Sequence, residues 1–451
     1  MGDGSTLMVT EDGDMSVFDR DDCSYSGLGH ADVVIRPTLL AKDEFAGGDV
    51  VMASAGFQHS ACVTSTGALW MWGQCGIGGD DVTLFVPTPV LPQLNVLMVA
   101  CGGNFTMILT REKRVWTCGD GTEGQLGHNN TNSSISFAQI DPELFGTAAT
   151  VSTIAAGFAH GMALTVTTAG DTLWTWGRGE YGILGHGHNT KDRLVPVAIP
   201  ATTFGGVPVL SMDGGAQHTL VVTADGALWG CGSDSCGALG LHKDGSQGQA
   251  CVYTLQKVVG PEFADGTGVL MAACGISHSV VLAKNHTVWV CGGNSQYLSG
   301  VYAGTFSTHD SFNLRSLTLI KPKHFGGRKV LVVAAGNDEC GVVTEDGDVR
   351  VWGDRGMSRP DLDVRIGRWH NLRQDHAVAF AMMFNKRLGA EASPLKGLPA
   401  DVLESMFGNM HLQPHADTPD ALHNMLGRRP PMLPQDEDEE YSRRLYACNV
   451  M

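Results

Sequence analysis

The chain has 451 residues, 59 of them glycine, with a 43% apolar fraction and a formal net charge of -17. The apolar fraction is enough for a packed core, and the acidic balance excludes broad, sequence-independent nucleic-acid binding, which needs clustered Lys and Arg. No apolar run of about 18 residues predicts a membrane span, and the N-terminus lacks the pattern of a signal peptide. The twelve cysteines show neither CxxC nor metal-ligand spacing, so we expect reduced thiols and a cytoplasmic or nuclear location.

One sequence unit recurs seven times along the chain. Each copy begins at a glycine, continues through a short apolar run and a turn, and ends in a motif such as Trp-x-Trp-Gly, as in "GFQHSACVTSTGALWMWG". A sequence unit that recurs at a regular spacing along the chain is the signature of a repeat architecture. The copies start near residues 2, 56, 102, 157, 215, 275 and 336.

Each unit predicts three or four strands. An apolar run such as "VLMVACG" precedes the starting glycine, turns such as "ADGA" separate two alternating segments, and a Leu-Gly element such as "YGILG" precedes a weaker outer strand. Such a unit cannot bury both of its faces alone, whereas seven units arranged radially cover one another. The sequence therefore predicts an all-β, seven-bladed β-propeller over residues 1–389.

The repeat resembles that of the regulator of chromosome condensation (RCC1) family over roughly residues 1–390. Three motifs carry the resemblance: the Gly-x-x-His element, first seen at Gly56 and His59, the Trp-Gly or Cys-Gly end, and the Gly-x-Leu-Gly element. The resemblance implies the same propeller fold. It also implies guanine nucleotide exchange on a small GTPase as one alternative function, although no segment here matches the nucleotide-displacing wedge. A plant UV-B photoreceptor of the family has Trp and Arg inside Gly-x-x-His, and neither occurs there in this chain.

The histidines and tryptophans of the repeat are interpreted as framework residues. Equivalent positions in adjacent blades lie around a ring, too far apart for the converging ligands that a metal needs. Trp and Cys replace one another at one position, which favours packing over a reactive thiol, because both are buried types. The predicted structural positions are Gly56, His59, Trp72, His160, Trp176, His218, His278 and Trp352.

The two variable residues inside Gly-x-x-His lie in a turn between strands, so they should reach one face of the disc. The predicted partner-binding residues are Phe57, Gln58, Asn104, Phe158, Gln217, Ile276, Asn337 and Asp338. Apolar side chains at such a surface suit a protein-binding face. No P-loop and no catalytic set stands out, so we predict a monomeric, non-enzymatic protein-interaction scaffold without a cofactor.

The C-terminal region predicts three segments. Residues 376–384 would supply the strand that the first unit lacks and so close the ring. Residues 390–428 predict a short helical extension in which "LPADVLESMF" resembles the opening of an F-box, and residues 429–451 predict an acidic mobile tail. The extension would either pack on the propeller or dock a ubiquitin-ligase adaptor, which makes a substrate receptor the third candidate function. Its docking residues would be Leu398, Val402, Leu403 and Phe407.

Overall fold

The apolar runs and turns of the repeat form seven four-stranded antiparallel sheets within the part of the chain that the structure describes. Each sheet is one blade, and its strands follow one another in chain order from the inside outwards, except in blade 1. The structure is a computed structural model that describes residues 5–10, 13–19, 27–28, 38–75, 83–146, 150–167, 170–188, 190–241, 250–258, 268–293, 313–336, 339–352, 364–365 and 445–447.

The strands are short, as is usual in propeller blades. Blades 1 to 3 contain β1 (Ser5–Thr10), β2 (Met15–Asp19), β3 (Thr38–Leu40), β4 (Val50–Ala55), β5 (His59–Thr64), β6 (Leu69–Gly73), β7 (Leu84–Val90), β8 (Val96–Cys101), β9 (Phe105–Thr110), β10 (Val115–Gly119) and β11 (Ser134–Gln139). Blades 4 and 5 contain β12 (Thr150–Ala156), β13 (His160–Thr167), β14 (Gly170–Gly177), β15 (Arg193–Ile199), β16 (Val209–Gly214), β17 (His218–Thr223), β18 (Leu228–Ser233) and β19 (Cys251–Val258). Blades 6 and 7 contain β20 (Val269–Cys274), β21 (His278–Ala283), β22 (Val288–Gly292), β23 (Leu314–Ile320), β24 (Val330–Ala335), β25 (Cys340–Thr344), β26 (Val349–Trp352) and β27 (Val364–Arg365), and β28 (Leu445–Ala447) joins blade 1.

In blades 2 to 7 the first strand in chain order lies nearest the axis, and in blade 1 β28 takes this position. From blade 2 onwards, the first strands of successive blades contact one another, as β4 contacts β8 and β8 contacts β12. These strands are apolar on both faces because neighbouring blades cover both faces, and β8 reads "VLMVAC" with almost every residue buried. The apolar runs that predicted a buried strand before each starting glycine therefore form the inner strands of the ring.

The hydrophobic core is divided into layers between blades. One layer packs Met98 and Phe105 of blade 3 against Ile154 and Trp176 of blade 4. Another packs Met8 of blade 1 against strands of blade 7, which joins the last blade to the first. The predicted all-β, seven-bladed propeller is confirmed.

No helix in the described ranges is long and apolar enough to cross a membrane.

A β-bulge recurs in the third strand of blades 2 to 6, next to its terminal glycine. In β14 the register against β15 shifts between Thr175 and Gly177, so Trp176 pairs with Gly161 on β13 but is skipped in the pairing with β15. Gly177 has a φ of 97°, and a Cβ there would lie 2.5 Å from the carbonyl oxygen of Ala159. Only glycine tolerates this combination, so the Gly of Trp-Gly and Cys-Gly is required by the turn.

A phenylalanine in the linker before several blades was not found from the sequence. It ends a short 3₁₀ turn, as at Phe45 in Lys42–Phe45, and packs edge-on against the first Trp of Trp-x-Trp. The ring centroids are 5.8 Å apart for Phe45 and Trp70, and the T-shaped geometry is the one that aromatic quadrupoles favour. The same arrangement joins Phe145 to Trp174 and Phe204 to Trp229.

The strand that completes blade 1 differs from the predicted one. In the structure β28 pairs antiparallel with β1, from Met8 opposite Ala447 to Thr10 opposite Leu445. Residues 376–384, to which the apolar pattern assigned this place, lie outside the described residues. A three-residue strand carries too little hydrophobic periodicity to be predicted from sequence, whereas residues 376–384 have the apolar pattern of a buried strand. Strand β28 also lies inside residues 429–451, which composition had predicted to be a mobile tail.

Several other predictions fall outside the described residues. These are Asn337 and Asp338 on the seventh turn, the helical extension at 390–428, and its proposed docking residues Leu398, Val402, Leu403 and Phe407.

Strand β28 should stabilise the ring. Deleting residues 445–451 removes the antiparallel partner of β1 and uncovers Met8 and Val9, which are fully buried. We expect the melting temperature to fall by about 3–5 °C and the protein to aggregate more readily, because an exposed strand edge recruits other chains. Differential scanning fluorimetry and size-exclusion chromatography measure both effects. Deletion of residues 448–451 alone leaves β28 in place and is the matched control. Equal melting temperatures for the two truncations would contradict this role of β28.

Candidate interaction face

The Gly-x-x-His turns of the blades open on one face of the disc. The loop that follows each third strand opens on the same face, because the first residue of the second strand pairs with the last residue of the third, as His59 pairs with Gly73. The two loops of a blade are also bonded to each other: the Gln74 amide donates to the Gln58 carbonyl oxygen at 2.7 Å. We call this surface the GxxH face; it is formed by turns 56–59, 102–105, 157–160, 215–218 and 275–278 with the loops after the third strands.

Backbone hydrogen bonds join these turns from blade to blade. The amide of Phe57 donates to the carbonyl oxygen of Gly103 at 2.9 Å, and the amide of Gly103 donates to that of Phe158 at 2.8 Å. The amide of Phe158 then donates to the carbonyl oxygen of Gly215 at 3.1 Å. Four successive blades therefore share one hydrogen-bonded rim, which holds the variable side chains on a rigid base.

The four repeat histidines are buried, and each reaches across to the next blade. Their exposed fractions are 3% or less, and their Nε2 atoms lie within hydrogen-bonding distance of a group on the following blade. The partners are Thr106 Oγ1 for His59 (2.8 Å), Thr219 Oγ1 for His160 (3.0 Å), Ser279 Oγ for His218 (2.9 Å) and the Glu339 carbonyl oxygen for His278 (3.2 Å). These histidines link neighbouring blades.

The hydrogen-bond pattern defines the tautomer of these rings. The hydroxyl of Thr219 donates its hydrogen to the Ile183 carbonyl oxygen at 2.8 Å, so its oxygen accepts from Nε2–H of His160. Ser279 likewise donates to the Ala238 carbonyl oxygen at 2.7 Å and accepts from His218. Burial lowers the pKa of His59 and His218 to about 3 and that of His160 to about 4. The rings of His59, His160 and His218 are therefore neutral at physiological pH.

Each starting glycine makes room for its own histidine. A Cβ on Gly56 would lie 2.3 Å from Cε1 of His59, and a Cβ on Gly157 would lie 2.0 Å from Cε1 of His160. The spacing within Gly-x-x-His is therefore a packing requirement. Phe105, which takes the histidine position in blade 3, packs on Gly102 in the same way.

The exchange of Trp with Cys has a physical cause. Trp176 Nε1 donates to the Gln125 carbonyl oxygen at 2.9 Å, and the thiols of Cys231 and Cys291 donate to backbone carbonyl oxygens at 3.3 Å. The acceptors are the carbonyl oxygens of Gln125, Ile183 and Ala238. Each of these residues is the x residue of a Gly-x-Leu-Gly element in the preceding blade. Trp72 is fully buried at the equivalent position, and Trp352 is half-buried. Both residue types can thus donate one hydrogen bond across a blade interface.

Eight of the ten described cysteines are buried, which keeps their thiols away from solvent and substrates. Burial raises the pKa of Cys101 and Cys231 to about 12, so the nucleophilic thiolate is absent at neutral pH. Within the described ranges, no three His, Cys, Asp or Glu side chains are grouped so that they could hold a metal ion.

The predicted partner-binding residues lie on the GxxH face wherever the structure describes them. Phe57 and Phe158 meet above the turn of blade 3, with ring centroids 5.8 Å apart in a T-shaped arrangement. Gly103 permits this contact, because a Cβ there would lie 2.9 Å from the Phe158 ring. We call Phe57 and Phe158 the aromatic pair. Of the other predicted residues, Asn104 is exposed, and Gln58, Gln217 and Ile276 are half-buried; Ile276 and Gln217 belong to blades 6 and 5.

Charged residues on the same face were missed from the sequence. Arg178 follows the third strand of blade 4, and its Nε lies 3.5 Å from Glu123 Oε2, while its guanidinium also pairs with Glu180. Burial raises the pKa of the Glu123 carboxyl, the guanidinium of Arg178 opposes the rise, and three further carboxylates add to it: Asp192, Glu180 and Asp120. We call Asp120, Glu123, Glu180 and Asp192 the acidic flank. Only the structure shows that these loops meet, although their place after each Trp-Gly or Cys-Gly end is visible in the repeat.

Comparison with known proteins agrees with the repeat pattern. A family model described as Regulator of chromosome condensation (RCC1) repeat matches residues 66–109 and 171–222, and a second model of that description matches 99–125 and 209–238. The chain belongs to the RCC1 repeat family. Its RCC1 repeats match the E3 ubiquitin-protein ligase HERC2 of Homo sapiens at 31% identity over 318 residues, which is 67% of this chain and 6% of the ligase.

Other relatives share the RCC1 propeller. The Ultraviolet-B receptor UVR8 of Arabidopsis thaliana is 34% identical over 224 residues, which is 48% of this chain and 49% of the receptor. The chain therefore spans less than half the length of these two curated relatives. The crystal structure of Prp20p from Saccharomyces cerevisiae superposes with a TM-score of 0.62 at 20% identity and covers 84% of each chain, which establishes the fold.

The buried histidines predict a pH dependence of stability. The pKa of His218 is about 3 in the folded protein and about 6.5 when unfolded, so the unfolded state binds more protons between these values. The contribution of the neutral His218 ring to the free energy of unfolding is therefore fully present above pH ~6.5 and is lost as the pH decreases towards 3. The expected loss is about 2 kcal/mol per histidine between pH ~7.5 and pH ~5.

The variant His218→Phe tests this dependence, because Phe105 occupies the same position in blade 3. Urea unfolding at the two pH values should show that the variant loses about 2 kcal/mol less stability on acidification than the natural protein. The exposed His188→Gln is the control and should keep the full pH dependence. An equal loss in His218→Phe and the natural protein would contradict the neutral, buried state of this ring.

Proposed function

We propose that the protein is a non-catalytic protein-interaction platform whose partner binds the GxxH face at the aromatic pair. The contact between Phe57 and Phe158 carries this proposal, because it places two large apolar rings, both half-buried, on a surface turn. Aromatic side chains are enriched among the residues that dominate binding energy at interfaces. The hydrogen-bonded rim beneath them limits the conformational entropy that binding would cost.

The framework of the repeat supports a binding role over a catalytic one. His59, His160 and His218 are neutral and enclosed between blades, and burial raises the pKa of the Cys101 and Cys231 thiols. Proton transfer and nucleophilic attack need groups that titrate near neutral pH and reach a substrate. Among the described residues, the side chains that vary between blades and reach the surface are therefore the candidates for binding a partner.

Guanine nucleotide exchange and ubiquitin-ligase recruitment are the two alternatives. The solved Prp20p structure is described with that protein's binding to Gsp1p and histones, and HERC2 is named a ubiquitin-protein ligase. Each activity is that relative's own, and at 20% identity the structural likeness extends to the fold alone. Both alternatives are therefore included in the test: catalysed GDP release from a panel of small GTPases, and adaptor capture that is lost on Leu403→Asp.

The variants Phe57→Asp and Phe158→Asp test the platform. Proximity labelling in cells followed by binding assays with purified candidates should show partners that bind the natural protein and lose at least about tenfold in affinity with either variant. The control is Phe85→Asp on β7, because Phe85 is 43% exposed and lies on the outer edge of blade 2. Melting temperatures of all three variants are measured alongside. Partners that bind every variant equally well would disprove the assignment to this face.

A further inference from the structure

We infer that the partner presents a segment in which an apolar anchor residue is flanked by lysine or arginine, with the anchor on the aromatic pair and the basic residues on the acidic flank. This inference rests on the proposed function and adds the chemistry of the partner. Its basis is that the loops that carry the carboxylates are hydrogen-bonded to the turns that carry the aromatic pair.

The aromatic pair offers a place for an apolar anchor. Phe57 and Phe158 stand edge to face above Gly103, which has no side chain to fill the space between their turns. Ala159, beside Phe158, is small and buried, so it adds no bulky side chain next to the pair. A leucine or an aromatic ring of a partner would cover the exposed parts of both phenylalanines.

The acidic flank lies immediately outside the aromatic pair. The Arg178 amide donates to the Ala159 carbonyl oxygen at 2.9 Å, and the Asp120 amide donates to the Asn104 carbonyl oxygen at 2.8 Å. Ala159 and Asn104 are the chain neighbours of Phe158 and Gly103. The loops that hold the carboxylates are therefore bonded to the turns that hold the aromatic rings, and a short peptide segment can reach both.

The carboxylates of the flank are held in place, and the four of them outnumber the three cations of the same loops, Arg178, Lys191 and Arg193. Asp192 Oδ1 accepts the amide of Gly179 at 2.9 Å, and Asp120 accepts the amide of Thr122 at 3.0 Å. Glu123 and Glu180 share Arg178, and their side chains are 35% and 54% exposed. Glu123 Oε2 itself is buried and faces Arg178 Nε at 3.5 Å. An incoming cation would relieve the repulsion among these carboxylates.

Charge complementarity selects the partner. An acidic segment would bring like charges to the flank, and nucleic acid would bring phosphates, so both are disfavoured at this face. Lysine and arginine side chains are attracted to the acidic flank because their charge is opposite, and their aliphatic stems can cover apolar surface. The flank should therefore set specificity and association rate, while the aromatic pair supplies most of the affinity.

A selection of displayed random peptides on the purified full-length protein tests this inference. Peptides that bind the natural protein and fail to bind Phe57→Asp and Phe158→Asp should be enriched in an aromatic or aliphatic residue flanked by Lys or Arg. A synthetic peptide from this set should bind about tenfold more weakly to Glu123→Lys and should lose affinity when NaCl is raised from about 50 mM to about 300 mM.

The matched control is Glu112→Lys, which makes the same change at an exposed residue of blade 3 in the turn between β9 and β10, on the opposite face. It should change the affinity less than about twofold. Selected peptides that depend on Phe57 and Phe158 but lack basic residues, or that bind Glu123→Lys unchanged, would overturn this inference and leave the proposed function standing. A selection without any peptide that depends on Phe57 or Phe158 would overturn both.

Discussion

A four-stranded blade has two apolar faces, and only a blade on each side keeps both faces from water. This constraint explains why the core is a series of layers between blades, such as the one in which Phe105 of blade 3 packs with Ile154 and Trp176 of blade 4. It also explains why polar atoms buried in those layers must find partners on the neighbouring blade. His160 bonded to Thr219 and Trp176 bonded to the Gln125 carbonyl oxygen are two solutions to that requirement.

The histidine and cysteine side chains of the repeat resemble catalytic groups, but they form hydrogen bonds between blades. The Nε2–H of His160 is donated to the next blade, and the thiol of Cys231 is donated to the preceding one, to the Ile183 carbonyl oxygen. What remains for function lies in the turns, where the framework places no demand on the side chain. The same turn carries Phe in blades 2 and 4 and Gly in blade 3, and this combination creates the aromatic pair.

Family and fold were accessible from sequence because they depend on local, repeated features. The apolar runs and turn glycines recur in the seven units and Gly-x-x-His recurs in four of them, and each copy reinforces the others. The strand that completes blade 1 was not accessible, because β28 has three residues and pairs with a strand more than 400 residues away in the chain. Linker phenylalanines such as Phe45 recur before several blades, but a 3₁₀ turn has no strand periodicity that would predict their packing.

The sequence by itself determined the seven-bladed architecture, the family and the turn positions that are free to vary. Only the tertiary structure decided which of those positions meet. Phe57 and Phe158 are about 100 residues apart in the chain, and Glu123 and Arg178 come from different blades, yet the closed ring brings each pair into contact. The physical reason is that strand and turn patterns are set within one unit, whereas contacts across blades depend on the radial geometry of the whole ring.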